Sequence, residues 1–259
     1  MIERTRRTVL GAIGSGAVLL AGCTGGSQGP VGFTNAEVVD QELIVEFDEG
    51  LDPETISVTD PNGESVGETP VSTGATRVSF DIEIPYEPGE FRIFATDGGD
   101  VIAETSQEIR PELEIVDVGV GTNRMDEMPE ELGSRKEVEA IITLENVGSG
   151  PEKITQLRFF GDIPNPNDPE EDIVGVYEPG EGEVWEPISL QNGEERTLFS
   201  STLPFFFEGE GVDCLSEAQT GVMEVQIIGD VSETISQYQL NYSGSDEYDD
   251  CDISIEGDV

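Results

Sequence analysis

The sequence predicts an all-β protein, two tandem antiparallel β-sandwiches that follow an N-terminal signal and lipobox segment. Three observations predict it. Short runs alternate apolar with polar residues, the period of half-buried strands. Turn-forming Gly, Pro, Asn and Asp recur between those runs, and no stretch of the body carries a sustained helical apolar period.

The elements follow in order. Residues 4–23 read RTRRTVLGAIGSGAVLLAGC: a basic start, an apolar run and Leu20-Ala21-Gly22-Cys23, which has the form of a lipobox. The run from Val9 to Gly22 is 14 residues long, shorter than the roughly 20 that a bilayer span needs. Residues 1–22 are therefore expected to be a cleaved export signal, twin-arginine-like through Arg6-Arg7. Cys23 is the expected lipid attachment site and residues 23–30 the lipidated tether. That address predicts a body on the extracytoplasmic face of the cell membrane. A first sandwich is expected over 31–110, with strands at 42–47, 55–59, 77–84 and 90–95. Asp60-Pro61-Asn62-Gly63 and Asp97-Gly98-Gly99-Asp100 are its turns. Arg110-Pro111 marks a boundary, because proline forces an extended approach and a new alternating run starts at Leu113. A second, larger sandwich is expected over 111–259. Its strands are placed near 113–120, 137–145, 153–160, 173–178, 195–203, 221–229 and 234–242. Insertions are read at 122–135, with one helical turn at Pro129–Leu132, and at 161–172. The acidic tail after residue 244 is expected to be held by Cys251.

Composition narrows the function. The chain carries 12 Lys and Arg against 56 Asp and Glu, a formal net charge of −44, and no histidine. Loss of residues 1–22 would remove three arginines and one glutamate, leaving 9 basic and 55 acidic residues. Nucleic acid is excluded as a partner because contact would require like-charge approach. Without histidine there is no Ser-His or Cys-His pair and no imidazole base, so the protein is read as no enzyme and no catalytic residue is assigned. At about 1 M salt the Debye length is roughly 3 Å, which would quench the self-repulsion of such a chain.

Three cysteines are present. With Cys23 taken by lipid, Cys214 and Cys251 form an even remainder outside the cytoplasm, and a disulfide between them is expected. Asn165, Asn167, Asp168 and Asp172 crowd one loop. They supply the oxygen ligands that a hard cation such as Ca2+ prefers, but without the spacing of a dedicated loop, so a solvated acidic surface is the competing reading. No other cofactor is expected. Asn241-Tyr242-Ser243 is a sequon, and Asn241 is a candidate glycosylation site. Phe205-Phe206-Phe207, with Trp185 and Phe159-Phe160, either packs a sandwich end or forms a contact patch. Arg124, Arg135 and Lys136 fall in or beside one insertion, where they either offer contact to an acidic partner or are balanced locally by Asp126, Glu127, Glu130 and Glu131.

Two resemblances add to this. Glu137 to Gly150, EVEAIITLENVGSG, followed by a strand and Ile188-Ser189-Leu190-Gln191-Asn192-Gly193-Glu194, resembles CARDB-like immunoglobulin-type cell-surface domains. The first unit, through Val58-Thr59-Asp60-Pro61-Asn62-Gly63 and Pro88-Gly89-Glu90-Phe91, is similar to immunoglobulin-like and fibronectin-like modules. Both units would then be immunoglobulin-like sandwiches. With only Lys136 and Lys153 as lysines, the whole resembles a haloarchaeal cell-surface lipoprotein. The resemblance implies a lipid-anchored surface, binding or scaffold module of a halophilic envelope. Its partners would be the membrane through the lipid and an envelope protein or glycan. The alternative is an accessory or solute-binding subunit of an envelope complex or transporter.

Overall fold

Seven strands build the first sandwich: β1 (Phe33–Val39), β2 (Glu42–Phe47), β3 (Thr55–Thr59), β4 (Ser65–Pro70), β5 (Arg77–Asp81), β6 (Gly89–Asp97) and β7 (Asp100–Ile109). The computed structural model describes residues 32–169, 176, 187–200, 202–207, 211–213, 217–244 and 251–258. The antiparallel sheets β1-β2-β5 and β4-β3-β6-β7 face each other across Leu43, Val45, Ile56, Val58, Phe91 and Ile93, all buried. These are the apolar positions of the alternating runs, so period-2 patterning sets which face turns inward. Asp40 and Gln41, with φ of 50° and 65°, make the two-residue β1–β2 turn. That left-handed pair matches the twist of the flanking strands.

The second sandwich contains β8 (Leu113–Val120), β9 (Ala140–Asn146), β10 (Glu152–Gly161), β11 (Ile188–Leu190), β12 (Glu195–Phe199), β13 (Gln219–Gly229), β14 (Glu233–Ser243) and β15 (Asp252–Asp258). Sheet β12-β9-β8 packs on sheet β11-β10-β13-β14-β15 through Ile142, Leu144, Leu157, Phe159, Val225 and Leu240. A third layer lies outside β9. The chain leaving β8 makes 3-10 turns at Gly121–Asn123 and within Glu130–Glu137, and its Met128 and Leu132 cover Ile141 and Phe199. Strand β9 is thus buried on both faces, which explains why Ala140-Ile141-Ile142 is a continuous apolar run rather than an alternating one.

The structure departs from the sequence expectations in definite places. Strands β1, β4, β7, β11 and β15 were not expected. β4 and β7 are largely exposed edge strands, so no core demands apolar alternation from them. β15 runs through the acidic tail and pairs with β14 from Tyr238↔Asp258 to Ser243↔Asp252, so backbone bonding also holds the tail. The strand expected from 137 begins at Ala140, because residues 130–137 turn as 3-10 helix instead. The single helical turn expected at 129–132 is therefore longer and displaced. The strand expected at 173–178 lies outside the described residues except for Val176, which is buried.

Candidate functional site

Three places concentrate polar groups that the fold has arranged: the join between the sandwiches, two buried glutamates, and an open cleft on the first sandwich. The join is built from the loop after β9. Asn146, fully buried, donates through Nδ2 to Gly150 O at 2.8 Å and Leu190 O at 3.3 Å. Its Oδ1 accepts from Glu112 N at 3.2 Å and Gly148 N at 3.1 Å. The loop then grips the connecting residues: Val147 N donates to Glu112 O at 2.8 Å, and Ser149 N and Gly150 N both donate to Arg110 O at 2.9 Å. A Cβ on Gly148 would lie 2.4 Å from Arg110 O and Glu112 N, and one on Gly150 would lie 2.2 Å from Tyr86 Oη. Backbone blocks any side chain at Gly148, and at Gly150 one would displace the Tyr86 hydroxyl. From the first sandwich Tyr86 donates to Pro151 O at 3.0 Å, and Asn192 of the second donates to Val38 O at 3.0 Å. Burial, with a smaller effect from Glu152, raises the Tyr86 hydroxyl above its usual range, so it stays a neutral donor. The connection is a hydrogen-bonded joint, not a free linker.

Glu139 and Glu152 are both 0 % exposed. Glu152 Oε1 accepts from Lys153 N at 2.8 Å and Val231 N at 3.0 Å, while Oε2 accepts from Ser232 N at 2.8 Å and Ser232 Oγ at 2.7 Å. It caps the β13–β14 hairpin. Glu139 Oε1 accepts from Ala140 N at 3.1 Å, Ser200 N at 3.0 Å and a short bond from Ser200 Oγ. Its Oε2 makes no hydrogen bond; the nearest charge is Arg135 Nη2 at 3.7 Å. Burial pushes this carboxyl up to about 7 against the pull of Ser200, Ala140 and Arg135.

The expected site residues divide as follows. Cys23, Cys214, Asp172 and Trp185 lie outside the described residues. Cys251 is disulfide-bonded and packs at the margin of the second core; with Cys214 outside the described residues, their pairing is not seen. Asn165 spends its amide on Thr202 O at 2.8 Å and Leu203 O at 3.2 Å, and Asn167 Oδ1 accepts from Phe159 N at 2.6 Å. Both asparagines thus pin the loop to its neighbours. Asp168 is exposed beside them. Asn241 is half-buried inside β14, between Thr220 and Ser254, rather than at an open loop end. Of the phenylalanine run, Phe205 is buried, Phe207 packs partly against the core and Phe206 is 38 % exposed. Phe159 is fully buried. Arg124 forks onto Asp117, its Nη2 3.0 Å from Oδ1, and holds that carboxyl below the usual range. Lys136 pairs with Glu130 at 3.1 Å. Glu139, Glu152 and Ser200 were missed, because in a chain with 56 acidic residues nothing local separates a buried carboxylate from a solvated one.

No family model and no curated protein matches the chain. Solved structures give distant likenesses. A beta-glycosidase from Bacteroides vulgatus is 12 % identical with a TM-score of 0.22, over 80 % of this chain and 24 % of that one. The BSP domain of a biofilm associated protein is 11 % identical with a TM-score of 0.26, over 80 % of this chain and 28 % of that one. A glycosyl hydrolase family 2 member from Bacteroides cellulosilyticus DSM 14838 is 15 % identical with a TM-score of 0.22, over 76 % and 24 %. The chain therefore spans about a quarter of the length of these proteins. At such scores the likenesses carry no argument about what this chain does.

Proposed function

We propose that this protein is a non-enzymatic presenting module of a high-salt cell envelope, held at the outer side of the membrane by lipid on Cys23. Its immunoglobulin-like sandwiches would carry surface loops and edges to an envelope protein or glycan. The observation that supports this reading best is the joint at Arg110–Glu112. A module that hands partners to a surface needs its two halves fixed, and here both the connecting backbone and Tyr86 are engaged by the 146–151 loop. The lipobox supports the anchor, and the acidic excess supports the salt environment. Cell fractionation tests the anchor: the native chain is expected in the membrane fraction and Cys23→Ser in the soluble one. Detergent-only extraction of Cys23→Ser would overturn it. Thermal melts in dilute buffer and in multimolar KCl test the environment. The midpoint is expected to rise steeply with salt, and an unchanged midpoint would refute that part.

A further inference from the structure

The first sandwich is closed along one margin, where β1 and β7 lie against each other, and open along the other. There the edge strands β4 and β5 approach without pairing, beside an open cleft of about 1170 Å3. Among the described residues β4 hydrogen-bonds only to β3 and β5 only to β2. Each therefore turns an unpaired row of backbone N–H and C=O groups to the cleft. The floor is apolar: Phe80, Ile82 and Phe91 are core residues no more than 6 % exposed. Gly67 of β4 permits this shape, since the Phe80 ring lies 3.0 Å from where its Cβ would be. The walls are acidic. Seven of the 20 lining residues are Asp or Glu, among them Glu64, Glu68, Asp81 and Glu83, and none is Lys or Arg. Asp230 and Val231, from the hairpin capped by Glu152, close one end.

These carboxylates do not converge. Among the described residues no three acidic or thiol groups come together as a metal site would require, so the charge is spread along a slot. A spread anionic slot between two free strand edges, over an apolar floor, matches one kind of occupant. We propose that the cleft takes an extended, cationic segment of a partner protein as an added β-strand. Its backbone would bond to an open edge, its alternate apolar side chains would rest on Phe80 and Ile82, and its Lys or Arg side chains would sit among the carboxylates. The inference rests on the presenting-module reading for the partner's location. Failure of that reading would show in fractionation, whereas failure of this one shows in peptide binding.

The test uses the full chain and a labelled nine-residue peptide of alternating Lys and Val, measured by fluorescence anisotropy in 1 M KCl. At that salt long-range attraction to an acidic surface is screened and only contact pairing survives. A second peptide keeps the charge but replaces alternate valines by proline, which removes the N–H groups that an added strand donates. The alternating peptide is expected to bind at least about tenfold tighter than the proline peptide. It is also expected to slow amide exchange at residues 65–70 and 77–81, a readout that needs no variant. Glu68→Lys with Asp81→Lys is expected to weaken binding about tenfold, while the equal charge change Asp100→Lys with Glu114→Lys, away from the cleft, leaves it intact. Equal affinity for both peptides, no binding, protection elsewhere, or equal loss in the two double variants would each overturn the proposal.

Discussion

Glu139 and Glu152 are buried to the same degree, yet they sit in opposite kinds of environment. Glu152 divides four donors evenly between its two oxygens. Glu139 gathers all its donors on one oxygen and leaves the other facing Arg135 at 3.7 Å. Burial is common to both; the number and placement of donors is what differs. A buried carboxylate is tolerated when each lone pair meets a donor, and it is driven toward its neutral form when one oxygen is left bare. The difference follows from position. Glu152 meets the β13–β14 turn, which offers Val231 N, Ser232 N and Ser232 Oγ, while Glu139 lies between a 3-10 insertion and the end of β12, where Ser200 is the one serine that reaches it.

The sharpest way to break the comparison is to delete the satisfied group. Glu152→Ala would strand Lys153 N, Val231 N and Ser232 N in a buried corner, and a loss of about 4 kcal/mol is expected. Chemical denaturation at neutral pH checks this. A loss below about 1 kcal/mol would mean that water replaces the carboxylate and that its four bonds are ornamental.

Glu139 gives the next effect, through pH. Burial pushes its folded carboxyl up to about 7 from the ordinary 4.5, so the folded state binds the proton more tightly than the unfolded one. The stabilisation is complete below the unfolded value and is lost as pH rises through about 7, which amounts to about 3 kcal/mol. Stability should therefore fall between pH 5 and 8, and Glu139→Gln should flatten that slope because its amide carries no charge at either pH. An unchanged slope in Glu139→Gln would assign the pH dependence to another group.

Asn146 extends the comparison to a neutral group with full satisfaction. Asn146→Ala removes four hydrogen bonds at the joint and is expected to cost about 2 kcal/mol, independent of pH. It should also speed amide exchange at residues 147–150, where the loop grips Arg110 and Glu112. Exchange unchanged there would show that the backbone bonds hold the joint without the side chain.

How much of this was legible in the sequence divides along the same physical line. Alternation revealed the strands that line the cores, such as Ile56-Ser57-Val58 and Val225-Gln226-Ile227, because burial on one face imposes the pattern. It was silent about edge strands β4 and β7, which face solvent. The Asn146-Val147-Gly148 motif was legible as a resemblance, and the structure supplies its reason: the asparagine side chain and the bare glycine both serve the Arg110–Glu112 contact. The buried glutamates were not legible. In Glu137-Val138-Glu139-Ala140 the acid at 139 occupies a position that a solvent-facing strand residue would share, and only tertiary packing turns it inward. The cleft was equally hidden, since it depends on β4 and β5 being neighbours that do not pair.

Ser200 offers the smallest and most discriminating change. Its hydroxyl donates to Glu139 Oε1, and its own Oγ accepts from Thr202 N at 3.3 Å. Ser200→Ala deletes the hydroxyl donor but keeps the backbone N–H, so the charged form of Glu139 loses support while the neutral form loses less. The carboxyl should move further upward, so the fall in stability begins at the same pH and extends to a higher one. A loss of about 1 kcal/mol is expected at pH 8 and less at pH 5. Equal losses at the two pH values would mean that Ser200 acts only as packing at the end of β12, and that desolvation alone sets the titration of Glu139. A loss confined to high pH would show that donor number decides between the two glutamates.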